Sequence, residues 1–207
     1  MVGKTEEAYN IIKSRIITLE LFPGCEITSS LLDDLHLSRT PAREALQQLE
    51  REGFVIINSR KNTLVSPITR ELIIDVFDVR YLVEPYIAKT FFSNIDMAEL
   101  GENRKIIQSF YDNSFDRQYF IDADTKIHNM ILSSCTNSFF SDLMTRVNGH
   151  SARIRKFSSM KNEEYEKSVY QHLAILDAIE LGDPEAIEAT VKYHVISSRR
   201  DALKYAE

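Results

Sequence analysis

The chain has 207 residues, 43% of them hydrophobic and 27% charged, with a formal net charge of −6. That length allows one large domain or two modest ones with a core each, and the composition is that of an ordinary globular protein. No run of about 18 apolar residues is present, which excludes a membrane-spanning helix. Two distant cysteines, Cys25 and Cys135, exclude a disulfide scaffold and any Cys-x-x-Cys site.

The first residues, Met1 to Glu7, lack the apolar core of a secretory signal and pass directly into an amphipathic helix. A cytoplasmic protein with free thiols is therefore expected. Ile27 to Leu35 reads as a short amphipathic helix, and His36-Leu37 makes a tight turn into a second one. Ser38 stands where a side chain can cap that second helix, and Pro41 is tolerated in its first turn. Ala42, Ala45, Leu46 and Leu49 fall on one side at spacings of three and four, leaving Arg39, Arg43 and Gln47 on the other. Exposed arginines at such positions can grip phosphate or bind guanine bidentately, as the second helix of a helix-turn-helix does in the major groove. Gly53 stops the helix. Phe54 to Asn58 and Asn62 to Ser66 then read as paired strands around the basic tip Ser59, Arg60 and Lys61, the shape of a wing.

The excess acid lies elsewhere. Residues 1–69 hold eight Lys/Arg against nine Asp/Glu, whereas Ser38 to Lys61 hold five basic residues against three acidic. Binding to DNA through this patch should be salt-sensitive, and a dimer would double its phosphate contacts.

From Pro67 onward the pattern is helical. Thr69 opens a helix to about Phe92. Asp96 with Glu99 forms a capping box for a second, ending near Tyr111. A third runs from about Phe115 to Ser134, Asn137 caps a fourth through Phe157, and Asn162 opens a fifth that ends at Gly182. Asp183-Pro184 starts the sixth. The expected fold is an all-α, antiparallel C-terminal bundle of about six helices behind an N-terminal winged helix-turn-helix, with domains at 1–68 and 69–207.

Four ionisable residues stand on apolar stripes of three of these helices. Asp124 and His128 share a face with Ile121 and Ile131, His172 sits with Val169 and Leu176, and His194 with Ile187 and Val191. A carboxylate pointing inward needs a partner, and three neutral imidazoles offer nitrogen ligands that a divalent metal would tie together. One oxygen and three nitrogen ligands suit Zn2+, Ni2+, Mn2+ or Fe2+, so the donor set leaves the metal open.

Residues 8–66 resemble the winged helix-turn-helix of the GntR superfamily of bacterial transcription regulators. The matching pattern is Leu21, Pro23, Gly24, Ile27, Ser38 to Pro41, Arg43 to Leu46, Leu49, Glu52 and Gly53. The resemblance implies that Arg39, Thr40 and Arg43 contact operator DNA in the major groove while the wing approaches the minor groove; Ser38, Gln47 and the wing-tip residues Arg60 and Lys61 are further DNA-binding candidates. His36 and Asn62 replace the glycines usual in the turn and the wing; Asn tolerates positive φ well and His less so, which predicts a slightly distorted turn at His36.

The second half resembles the FCD effector-binding domain of the FadR branch. Arg80 to Glu84 match its R-x-x-L-E pattern with Val83 in the leucine position, Asp124 and His128 its D-x-x-x-H, and His172, Ile175, Ala178, Ile179, Gly182, Asp183, Ala189 and His194 its last motif. Six helices are similar to the VanR-like group. The resemblance implies that Asp124, His128, His172 and His194 bind a metal whose open positions hold a carboxylate of a small organic acid. Arg80 is a candidate for pairing with that anion, its rival role being a salt bridge to Glu84 one turn on. Arg153 is a further candidate, and His150, near an apolar stripe with Val147, Ile154 and Phe157, could face the same cavity. The expected protein is a homodimeric regulator, a repressor of a palindromic operator controlled by the acid. The alternatives are a regulator that senses the metal itself, or a metalloenzyme using the Asp/His3 set.

Overall fold

A computed structural model describes residues 3–58, 62–112, 117–159 and 166–205. The chain divides into two compact units, Met1–Thr69 and Arg70–Glu207.

In the first unit, α1 (Lys4–Ile17) buries Ala8, Ile12 and Ile16 at four-residue spacing, one stripe of a helix. That stripe packs on α3 (Arg39–Arg51), whose buried residues are Ala42, Ala45, Leu46 and Leu49. Between them α2 (Ser29–Asp34) is capped by Thr28, whose side chain accepts from the Leu31 N–H at 3.2 Å, a contact worth about 1 kcal/mol. The strands β1 (Val55–Ile57) and β2 (Thr63–Val65) pair antiparallel in the register Val55 to Val65.

Two details of this unit, at Ser38 and Asn62, differ from expectation, and one, at His36, follows it. Ser38 occupies the N-cap of α3, yet its side chain makes no capping bond. Pro41 sits at the third helical position and has no N–H to give, which removes one of the two donors that a cap commonly uses. His36 adopts φ +56°, the left-handed region that the usual glycine would enter without strain. Asn62, by contrast, is not among the described residues with positive φ. It closes the hairpin instead by accepting from the Asn58 backbone N–H at 2.9 Å and from the Asn58 side-chain amide at 2.9 Å. The wing tip Ser59, Arg60 and Lys61 lies outside the described residues.

The second unit is built, among the described residues, of six helices: α4 (Arg70–Phe91), α5 (Met97–Asp112), α6 (Arg117–Ser133), α7 (Ser138–Ser159), α8 (Glu166–Leu181) and α9 (Pro184–Leu203). Asn137 caps α7 by accepting from the Phe139 N–H, and Asp183 caps α9 by accepting from Glu185 and Ala186. Asp96 likewise accepts from Ala98 at the start of α5. The expected opening of α8 at Asn162 and of α6 at Phe115 falls outside the described residues. α4 lies against α9 and also meets α6 and α7, so it forms the spine of the bundle. Its packing inverts the simple apolar stripe: Arg80 and Glu84 are buried, while Leu82 is 70% exposed and Tyr86 49%.

Candidate metal centre

Asp124 and His128 lie four residues apart on α6 and so share one face. Facing them are His172 on α8 and His194 on α9. All four side chains are buried, and one ligand atom from each falls within 4.8 Å of the others. Asp124 Oδ1 stands 3.2 Å from His172 Nε2 and 4.0 Å from His128 Nε2, and His128 Nε2 stands 3.2 Å from His194 Nε2.

The outer nitrogens decide what the inner ones can do. His128 Nδ1 meets Glu84 Oε1 at 2.5 Å, and His194 Nδ1 meets Gln171 Oε1 at 3.0 Å. Both partners are oxygen acceptors, so each Nδ1 must carry the hydrogen and each Nε2 must present a lone pair. Two lone pairs then face each other across 3.2 Å, an arrangement that repels unless a cation sits between them. His172 Nε2 is buried without a hydrogen bond, although Asp124 Oδ1 is close by, and its Nδ1 lies 3.5 Å from Ser168 Oγ. The residues therefore fit a divalent metal, with outer partners that fix three imidazole rings.

The electrostatics agree. Burial, with His172 and His128 adding to it, holds the His194 imidazole well below its ordinary value, and burial also lowers His128 against the pull of Glu84. Both rings are thus neutral and able to bind metal near pH 7. Burial opposes ionisation of Asp124, but the Arg155 guanidinium and the neighbouring imidazoles outweigh it and hold the carboxyl well below the usual range. Glu84 is likewise held well below its ordinary value, because Arg80 and His128 overcome its desolvation.

Arg80 pairs with Glu84, its Nε 2.8 Å from Oε2, and its guanidinium lies 4.9 Å from the centre of the Phe77 ring. Of its two candidate roles, the salt bridge is the one the geometry displays. Against Asp124, the one of the four that lines it, opens a cavity of about 100 Å³, whose polar wall also includes Arg155, Ser158, Lys167, Ser168 and Gln171. Neither Arg80, His150 nor Arg153 lines it. Arg153 is fully buried, and burial pushes its guanidinium down to about 10. His150 is buried on α7 outside the converging four. The arginine on the cavity wall is instead Arg155. Two residues along a helix is a rotation of about 200°, so Arg153 and Arg155 point to opposite sides. No sequence pattern marks Glu84, Gln171, Ser168 or Arg155 as partners of the ligands.

In the first unit, Ser38, Arg39, Thr40, Arg43 and Gln47 are all exposed on α3, opposite its buried stripe. The unfilled cap leaves the first N–H groups of that helix open, a feature that suits a phosphate. Arg60 and Lys61 lie outside the described residues.

Residues 4–65 match the family described as bacterial regulatory proteins, gntR family, and residues 75–197 match the FCD domain. A curated relative from Streptomyces ambofaciens, an HTH-type transcriptional regulator in an unstable DNA locus, is 26% identical over 196 residues, covering 93% of this chain and 83% of its own. The galactonate operon transcriptional repressor of Escherichia coli is 22% identical and covers 96% of both chains. Among solved structures, a GntR transcriptional regulator from Rhodococcus sp. RHA1 superposes with a TM-score of 0.82 at 21% identity, covering 98% of this chain and 99% of that one. The Zn2+-bound FCD domain of the regulator TM0439 superposes at 0.57 with 21% identity, over 67% of this chain and 96% of that one.

Proposed function

From the premise that this chain belongs to the GntR family of bacterial regulatory proteins and carries an FCD domain, we propose that it is a homodimeric repressor whose grip on a palindromic operator is set by a small organic acid at a metal centre. That it regulates transcription, and is not an enzyme, follows from the family. The observation that carries the finer reading is the set of converging Nε2 lone pairs around Asp124, whose side chain lines a polar cavity. Asp124, His128, His172 and His194 would hold the ion, and a bound Zn2+, Ni2+, Mn2+ or Fe2+ would supply open positions for a carboxylate. Zinc has the additional support of the Zn2+-bound FCD relative.

On the DNA side, Arg39, Thr40, Arg43 and Gln47 read base edges while Ser38 and the open helix terminus hold phosphate; Arg60 and Lys61 reach for the minor groove. Two-fold pairing is supported by the exposed apolar residues Leu82 and Tyr86 on α4 and Phe139 and Leu143 on α7, elements joined by the Tyr86–Phe140 ring contact at 5.5 Å. A pair of subunits related by two-fold symmetry reads a palindrome. An acid that prefers one arrangement of the pair shifts operator affinity by a coupling of about 1–3 kcal/mol. A regulator that works on operator DNA in this way acts in the cytoplasm.

The test begins with duplexes selected from a random pool by the purified full chain. Enrichment of a palindrome, and a change in its affinity when zinc and a panel of organic acids are added together, is the expected result. A response to metal alone, with no acid adding to it, replaces the acid-responsive reading by a metal-sensing one. Selection of no common sequence overturns the operator reading.

A further inference from the structure

Arg155 touches both sides of the centre. Its Nε lies 2.6 Å from Asp124 Oδ2, so it holds the carboxylate whose other oxygen faces the three imidazoles. Its Nη1 donates to Ser151 Oγ at 2.8 Å. Among the described residues the remaining nitrogen, Nη2, is buried and meets no hydrogen-bond partner, and one turn further along α7 Ser158 Oγ is buried and meets none either. The Arg155 side chain is 10% exposed, and both residues line the cavity. Two buried polar atoms left unsatisfied on one wall would each be costly to desolvate, which marks a place where a ligand supplies the partners.

We infer that Arg155 and Ser158 form the oxygen-recognising wall of the cavity, and that the acid it selects carries a hydroxyl on the carbon next to its carboxylate. The inference rests on the reading that an organic acid enters beside the metal. The guanidinium can only donate, so Nη2 takes a carboxylate oxygen. A serine hydroxyl can both donate and accept, so it pairs with the ligand hydroxyl. Ser168 and Gln171, whose polar ends face His172 and His194, border the same space and keep its wall polar. Arg155 is thereby a positioning residue for Asp124 and a specificity residue for the acid. The role expected for Arg153 belongs to its neighbour two places on.

The experiment uses the full chain loaded with Co2+, whose visible absorption reports its coordination, titrated with glycolate and with acetate. The wild type should bind glycolate roughly tenfold or more tightly than acetate, since one satisfied buried hydrogen bond separates them. Ser158→Ala, which leaves the Arg155–Asp124 pair intact, should bring the two acids to within about threefold of each other. Arg155→Gln should weaken both acids by at least about tenfold, the loss of a charge-assisted bond. If Arg155→Gln also loses cobalt, the glycolate-to-acetate ratio of Ser158→Ala decides by itself. Equal binding of the two acids by the wild type, or unchanged discrimination in Ser158→Ala, overturns the inference while leaving the acid reading intact. A cobalt spectrum that no acid perturbs overturns that reading, and the inference with it.

Discussion

Glu84→Gln isolates the buried charge pair behind His128. The amide keeps the shape of the side chain, and its oxygen can still accept from His128 Nδ1, but the negative charge 2.8 Å from Arg80 is gone. Both side chains are only 2% exposed, so water cannot replace it. Breaking a buried pair by removing one partner costs about 3–5 kcal/mol, because a charge is left uncompensated. Arg80 Nη1 already lacks a hydrogen-bond partner, which places the loss toward the upper end of that range. A separate cost would fall on the ion: a neutral acceptor behind His128 makes the imidazole less basic than a carboxylate does, and changing such an outer partner weakens metal binding by up to about 10–100-fold. Urea unfolding of chelator-treated protein reads the first effect, and Zn2+ titration against a competing chelator reads the second. Removing both charges in Arg80→Met/Glu84→Gln should recover much of the stability and none of the metal affinity. A urea midpoint for Glu84→Gln equivalent to a loss of under about 0.5 kcal/mol would refute the claim that this pair is sealed from water.

His128→Ala combined with His194→Ala should abolish the stabilisation by zinc, which for the wild type at a hundredfold excess over Kd is about 2.7 kcal/mol, read as a shift in thermal midpoint. A shift that survives means the ion binds elsewhere. His36→Gly should stabilise the first unit by about 0.5–1 kcal/mol, the relief of a left-handed residue less the added freedom of glycine; a lower melting temperature would contradict this. Around Glu52, burial favours the protonated acid, but Lys13 and Tyr9 outweigh it and lower the carboxyl from 4.5. A depressed folded value contributes stability above pH 4.5 that is lost as the pH falls through it, so Glu52→Gln should flatten the acid limb of the stability profile. An identical acid limb in the variant would assign the loss to other groups.

The helix ends and the buried Asp/His cluster are legible in the sequence because each rests on short-range chemistry. Asn137 and Asp183 announce caps by residue type, and Asp124 with His128 announces one face by its spacing. Convergence of three helices on one point follows from the cost of burying such groups singly. What escapes are contacts that depend on rotational phase between helices. Arg80 and Arg153 both read as cations near the site, yet α4 turns Arg80 onto Glu84, and the turn of α7 sends Arg155, not Arg153, to Asp124. Gln171, adjacent to a ligand in sequence, serves a different ligand on another helix, which no pattern within α8 encodes. Ser38 shows the same limit at closer range: its type signals a cap, but its side chain makes no capping bond, and the proline three places on has withdrawn one of the donors.

Because the four candidate ligand atoms come from α6, α8 and α9, an ion among them would act as one rivet through three plates. None of those helices could then slide along another without shearing a metal–ligand bond. A displacement imposed by a guest in the cavity would be carried by the riveted block as a single body, leaving the soft degrees of freedom to the segments outside it.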